Sequence, residues 1–237
     1  MPRLVALAAA AAAFVAAVLT ALEPRDAGLT LLLAAGAVVV AGAAWLETGP
    51  GSAKEIAVIG TLAGVAAAGR VLFAAVPGVQ PVTVIVVAAG VALGARAGFA
   101  VGAVAALASN FFLGQGPWTP WQMLAWGGCG VVGSLAAPFV RRRLPFAVLC
   151  FVLGFAFSVL MDLWEWFSFY PHTWAALTVQ LGRGVAFDLA HAAGNFVLAL
   201  AAGPELRRLL ERTGRHLRTE VVWAPLPNAH EHKEPVS

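Results

Sequence analysis

The feature that most limits what this chain can become is its succession of long apolar blocks. A run of about 20 such residues crosses the hydrocarbon core of a bilayer as a helix. Eight candidates follow one another with short polar interruptions: Leu4–Leu22, Gly28–Leu46, Ile56–Val76, Val82–Leu93, Gly98–Leu113, Trp121–Ala137, Leu144–Phe169 and Trp174–Ala202. The fourth is short for a full span. Pro24, Pro50-Gly51, Pro77-Gly78, Gly94, the run Gly114 to Pro120, Pro138, Pro145 and Pro171 punctuate them as turns. Backbone polar groups in lipid must be satisfied within the segment, which calls for helices. A transmembrane barrel would need strict apolar/polar alternation, and that is missing. Charged residues make up only 11% of the chain, against roughly a quarter in a soluble domain. The expectation is an all-α polytopic bundle of eight transmembrane helices with no separate soluble domain.

The first block follows Arg3 and is longer than the roughly 7–15 residues of a signal-peptide core. Its end, Ala21-Leu22-Glu23-Pro24, has no small-x-small cleavage site, so it is expected to be retained as a span. Cys129 and Cys150 lie inside apolar blocks without ligand spacing and read as buried thiols.

Lysines and arginines in short connections orient such a bundle. With the N-terminus in the cytoplasm, alternation puts Arg3, Lys54, Arg96, the triplet Arg141-Arg142-Arg143 and the tail with Arg207, Arg208, Arg212, Arg215, Arg218 and Lys233 inside. Outside falls only Arg25, between Glu23 and Asp26. An error in the span count would scramble this segregation. Glu205 to Arg218 reads as a short basic helix along the inner leaflet. Ala224 to Ser237 reads as a disordered tail, with His230-Glu231-His232 solvated rather than holding a metal.

Ionisable groups inside a membrane are costly and mark functional sites by default. The same orientation places Arg70, Ser109, Asn110, Asp162, Glu165 and Arg183 toward the outer side, with Asp188 near mid-depth and His191 and Asn195 deeper. Structural ion pairs between helices would also account for the charged ones. Trp118, Trp121, Trp126, Trp164, Trp166 and Trp174, with Phe169 and Tyr170, share the outer side, whereas the inner side has only Trp45 and Trp223. An interfacial belt should serve both interfaces, so part of this set is expected to line a pocket. Asp188, His191 and Asn195 share one helix face at i, i+3, i+7, which suits either a membrane-embedded enzyme or hydrogen bonding between helices. Gly60, Gly64 and Ala68 recur every four residues, as do Ala63 and Ala67, a spacing that lets a second helix approach closely. No nucleotide-binding glycine loop, GxSxG or HExxH is present, and Gly182-Arg183-Gly184 lacks the rest of a dinucleotide fingerprint.

Several of these residues carry a family likeness. Ala53-Lys54-Glu55-Ile56 opens a small-residue helix that ends near Gly69-Arg70. There follow Pro77-Gly78-Val79-Gln80-Pro81, Gly94, Ser109-Asn110-Phe111-Phe112 and, most specifically, Gly114-Gln115-Gly116-Pro117-Trp118-Thr119-Pro120-Trp121-Gln122-Met123 with Trp126-Gly127. This stretch resembles the substrate-binding S components of energy-coupling factor transporters, and its last run resembles those assigned to cobalamin-type vitamins. The resemblance implies a six-helix substrate-binding core over 51–203; the two N-terminal helices over residues 1–50 depart from that core, and a cytoplasmic basic helix and tail over 204–237 follow it. It also implies capture of a vitamin, with cobalamin or a related corrinoid preferred, by a protein that is not itself an enzyme.

The implied partners are a transmembrane T component and two cytoplasmic ATPases, which use the ATP. The chain holds no cofactor or metal of its own and meets the bilayer and the vitamin but no nucleic acid. Docking on the T component would map to Gly60, Ala63, Gly64, Ala67 and Ala68. Substrate contacts would draw on Arg70, Gln80, Asn110, Gln115, Trp118, Trp121, Gln122, Asp162, Trp166 and Arg183. The location implied is a bacterial inner membrane, with both termini in the cytoplasm. Another vitamin or heterocycle, or an enzyme built on Asp188, His191 and Asn195, are the alternatives.

Overall fold

A computed structural model describes residues 53–218, and these form six α-helices joined by short connections. They are α1 (Ala53–Leu72), α2 (Val82–Leu93), α3 (Ala95–Leu113), α4 (Thr119–Ala136), α5 (Arg143–Phe169) and α6 (Trp174–Arg218), with a 3₁₀ turn at Phe73–Ala75 after α1. The two expected spans before residue 50 and the tail beyond residue 218 lie outside the described residues.

Four stretches are long and apolar enough to cross a membrane: Ala53–Ala75, Ala95–Leu113, Arg143–Phe169 and Trp174–Arg215. Their outer surfaces carry large apolar side chains, among them Leu72, Phe112 and Val197, which are 79%, 78% and 61% exposed. Such a surface suits lipid and not water. The chain is thus all-helical among the described residues and has the build of a membrane protein.

Helix α2 differs. Its 12 residues reach only about 18 Å at 1.5 Å per residue, short of the roughly 30 Å hydrocarbon core. Every residue from Val82 to Gly90 is buried, so α2 is the axis of the bundle, wrapped by its neighbours. A helix apolar on all sides belongs in a core. Around it, α3 and α4 approach so closely that glycine is required. A Cβ on Gly90 would stand 2.0 Å from the Gly130 carbonyl oxygen, and one on Gly130 would stand 2.3 Å from the Gly98 carbonyl carbon. Farther along, a Cβ on Gly102 would meet the Trp126 carbonyl at 2.5 Å.

The helices alternate in direction. One end of the bundle gathers the α1–α2, α3–α4 and α5–α6 connections and is rich in aromatic residues; the opposite end carries Arg96, Arg141 to Arg143 and Arg207. At the arginine end, Arg96 pairs with Glu55 at 3.2 Å and ties α3 to α1. Arg207 donates to the Val140 carbonyl at 2.9 Å, capping the chain between α4 and α5.

The stretch Glu205 to Arg218, expected as a separate helix, instead continues α6 straight through Pro204. Leu210 is buried, and a Cβ on Gly214 would stand 3.3 Å from the Ala92 carbonyl oxygen. Burial of this face against the end of α2 holds the segment to the bundle despite the hydrogen bond that proline removes. The boundary expected at residue 203 falls inside this continuous helix.

Small residues on α1 divide by side. Ala63 and Ala67 are buried, 0% and 7% exposed, and pack inward. Gly60, Gly64 and Ala68 are exposed, and a Cβ on Gly60 or Gly64 would meet nothing within 4 Å. The five therefore do not share one surface: two serve the internal packing and three line an open, smooth stripe.

Candidate functional site

At the aromatic end, a polar network joins α1, α3 and α4 below two loops. Arg70, 7% exposed near the end of α1, donates from Nη1 to Ser109 Oγ at 2.7 Å and to Asn110 Oδ1 at 2.6 Å. Asn110 is 1% exposed and is the hub. Arginine can only donate, so the amide oxygen must face it. The amide nitrogen is thereby left to donate to Thr119 Oγ1 at 2.9 Å and Gln122 Oε1 at 2.8 Å. Thr119 Oγ1 in turn donates to Gln115 Oε1 at 2.8 Å, and Gln115 Nε2 donates to the Leu107 carbonyl at 3.0 Å. Gln115 to Trp118 is thus hung on α3 by two routes, Asn110 through Thr119 and the Leu107 carbonyl through Gln115.

Aromatic rings continue the cluster inward. The Arg70 guanidinium lies 4.8 Å over the Trp126 ring, a cation–π contact. Trp126 is fully buried, donates from Nε1 to Thr83 Oγ1 at 3.1 Å and stacks on Phe157 at 4.1 Å between centroids. Phe157 meets His191 at 5.5 Å. The α1–α2 loop closes over this side. Gly78 adopts φ 75°, which glycine takes without strain, and a Cβ there would meet Ala190 and His191 at 3.0 Å. Its carbonyl accepts from His191 Nδ1 at 2.8 Å. A carbonyl cannot donate, so the imidazole proton sits on Nδ1, and Nε2 is buried without a hydrogen-bond partner.

A second cluster lies between α5 and α6. Gln180 donates to Asp162 Oδ1 at 3.4 Å and to Glu165 Oε2 at 3.0 Å. Asp188, 3% exposed, lies beside Asp162 and Ser158. Gly184 makes room: a Cβ there would stand 2.2 Å from Asp162 Oδ2. Arg183 is exposed and donates to the Tyr170 hydroxyl at 3.0 Å, so it forms no direct ion pair with Asp162 or Glu165. Trp118, from the α3–α4 loop, meets Trp164 of α5 edge-on at 6.4 Å and bridges the two clusters.

Of the residues singled out in the sequence, Arg70, Asn110, Gln115 and Gln122 therefore form one network. Trp118 overhangs it. Asp162 belongs to the second cluster, beside the exposed Arg183. Gln80 and Trp121 are half-buried and join neither network. Trp166 donates to the Pro171 carbonyl at 3.1 Å and steadies the α5–α6 turn. Trp174, 82% exposed, faces outward like a belt residue. Thr119 was missed as a functional residue; its position three residues past Gly116 in a proline-flanked turn was the available signal.

Asp188, His191 and Asn195 are all buried, yet His191 bonds to the Gly78 carbonyl, and Asn195 Nδ2 bonds to the His191 carbonyl at 2.9 Å. None of these bonds links one of the three side chains to another. Among the described residues, no group of three or more His, Cys, Asp or Glu side chains comes together to hold a metal ion. Cys129 and Cys150 are both buried and free. Compared with protein-family models, curated proteins and solved structures, the chain matches none.

Proposed function

We propose that this chain is the substrate-binding S component of an energy-coupling factor transporter, taking up a vitamin from outside the cell. The observation that carries the reading is the buried arginine–amide–tryptophan cluster at one end of an apolar bundle, roofed by two loops. Such a cluster combines flat apolar surface with a few directional polar groups, the make-up of a small-molecule site. The Gly78 and Gln115–Trp118 loops are short, bonded to the bundle through few side chains, and suited to lift and admit a ligand. In this reading the arginine end faces the cytoplasm, the bundle has eight helices including the two before residue 50 with the short α2 enclosed among them, and both termini are inside.

The open stripe of Gly60, Gly64 and Ala68 supports docking on a T component, which would couple the chain to two ATPases. A Cβ at position 64 meets nothing within 4 Å, and leucine is a better helix former than glycine by about 1 kcal/mol. Gly64→Leu is therefore expected to leave folding and ligand binding intact while uptake by the reconstituted transporter is lost. Retained uptake in that variant would remove the stripe from the docking surface.

Direct binding tests the reading itself. The purified chain, titrated with cobalamin, cobinamide, riboflavin, biotin, thiamine and folate, is expected to bind one of them with submicromolar affinity. A corrinoid is the first candidate, from the likeness of Gly114 to Met123. Failure of the whole panel overturns the proposal.

A further inference from the structure

Arg70 has polar neighbours but no counter-charge. The ion pairs among the described residues are Arg96 with Glu55 and Arg207 with Glu211, both remote from it. Its two hydrogen-bond partners, Ser109 and Asn110, are neutral. Its Nε–H is buried and makes no hydrogen bond. A charge held in a low-dielectric interior without an ion partner is costly, and a cation–π contact returns only a small part of that cost. Intramembrane arginines ordinarily pair or mark a ligand path.

A second orphan flanks the same rings. His191 Nε2 is buried without a hydrogen-bond partner, and its imidazole is held against Phe157, which stacks on the Trp126 that Arg70 covers. Arg70, Trp126, Phe157 and His191 thus form one run of contacts. An incoming anion would meet a guanidinium that already has one face fixed by Ser109 and Asn110, leaving Nε free. Asp162, Glu165 and Asp188 stand in the other cluster, between α5 and α6. The site thus has a positive pole at α1 and a negative one at α5–α6.

We propose that Arg70 is the receptor for an anionic group, a carboxylate or a phosphate ester, carried by the ligand; His191 Nε2, which carries no proton, offers only an acceptor beyond the same rings and takes no part in holding the anion. This deepens the receptor reading above and rests on it. It narrows the ligand to vitamins that present an anion to the α1 side. A charge-assisted bond to a fixed, desolvated guanidinium discriminates strongly against a neutral analogue, because the analogue leaves the buried charge unmet.

The test pairs each anionic probe with its neutral counterpart on the wild-type protein: biotin with biotinamide, pantothenate with pantothenol, and cobalamin, whose nucleotide loop carries a phosphodiester, with cobinamide, which lacks that loop. The expected result is one pair in which the anionic member binds at least about tenfold more tightly, a gap equivalent to one good interaction. In Arg70→Gln that preference is expected to vanish while Arg70→Lys keeps part of it. A ligand bound equally in both forms overturns the anion assignment and leaves the receptor function standing. Absence of binding by every probe overturns the receptor function, and this assignment with it. The wild-type comparison needs no variant to fold.

Discussion

Gly90→Ala is expected to prevent the described bundle from forming in its present packing. The added methyl would lie 2.0 Å from the Gly130 carbonyl oxygen and 2.9 Å from its carbon. Both obstacles are backbone, so no rotamer change relieves them. A Cβ on the facing Gly98 would in turn stand 2.7 Å from the Gly90 Cα, so α2 cannot slide toward α3 to escape. The remaining route is separation of α2 from α4. That would pull Thr83 from Trp126 Nε1. Ordinary overpacking of a core costs about 1–3 kcal/mol, and here the cost should exceed it. Thermal unfolding in detergent and the monodisperse fraction on size exclusion measure the effect. Gly64→Ala, with open space around its Cβ, is the matched control. Equal stability of the two variants would mean that the three helices do not meet at this junction.

Much of the architecture could be read from apolar periodicity alone. Val82–Leu93, the end of α3, both ends of α5 and the start of α6 follow from where glycine and proline interrupt the blocks. The continuation of α6 past Pro204 was not legible, because a proline after an apolar block normally closes a helix. What overrides it is tertiary: Leu210 and Gly214 pack against the end of α2, contacts that no local pattern reports. The short length of α2 was visible, but its place at the centre was not. Nine successive buried residues read equally as a poor span or as a core helix.

The site was half legible for a similar reason. Arg70, Ser109 and Asn110 were conspicuous as polar residues in apolar surroundings, and depth alone put them together, whereas Gln122 stood out only as part of the Gly114–Met123 run. Which of them touch was beyond a linear pattern: Arg70 and Asn110 are forty residues apart in the chain. Trp126 shows the limit most clearly. As a tryptophan near one end of a span it resembles a belt residue, yet it is fully buried, because Gly102 lets its backbone approach α3 and Thr83 satisfies its indole nitrogen. Trp174 has the same residue type at a similar depth and lies exposed. Burial, not composition, separates them.

The second large effect is expected at Asn110. Replacement by leucine keeps the volume and removes one acceptor and two donors from a fully enclosed position. Arg70 Nη1 would keep only Ser109, while Thr119 and Gln122 would each lose the N–H that now meets them. A buried polar group left unpaired costs about 1–3 kcal/mol, and three are affected, so Asn110→Leu should lose about 3–5 kcal/mol of stability. The α3–α4 loop, which reaches α3 through Thr119 and Gln115, should also loosen and become sensitive to protease. Asn110→Asp separates the hub's two roles. It retains an acceptor for Arg70 and adds the negative charge that the arginine lacks, while surrendering both donors. Its stability should therefore lie between wild type and Asn110→Leu. Its affinity for an anionic probe should fall below that of wild type, because the internal carboxylate competes for the guanidinium. Thermal unfolding and ligand titration on the three proteins measure both. If Asn110→Asp binds an anionic probe as well as wild type does, the guanidinium is a strut between helices and not a receptor.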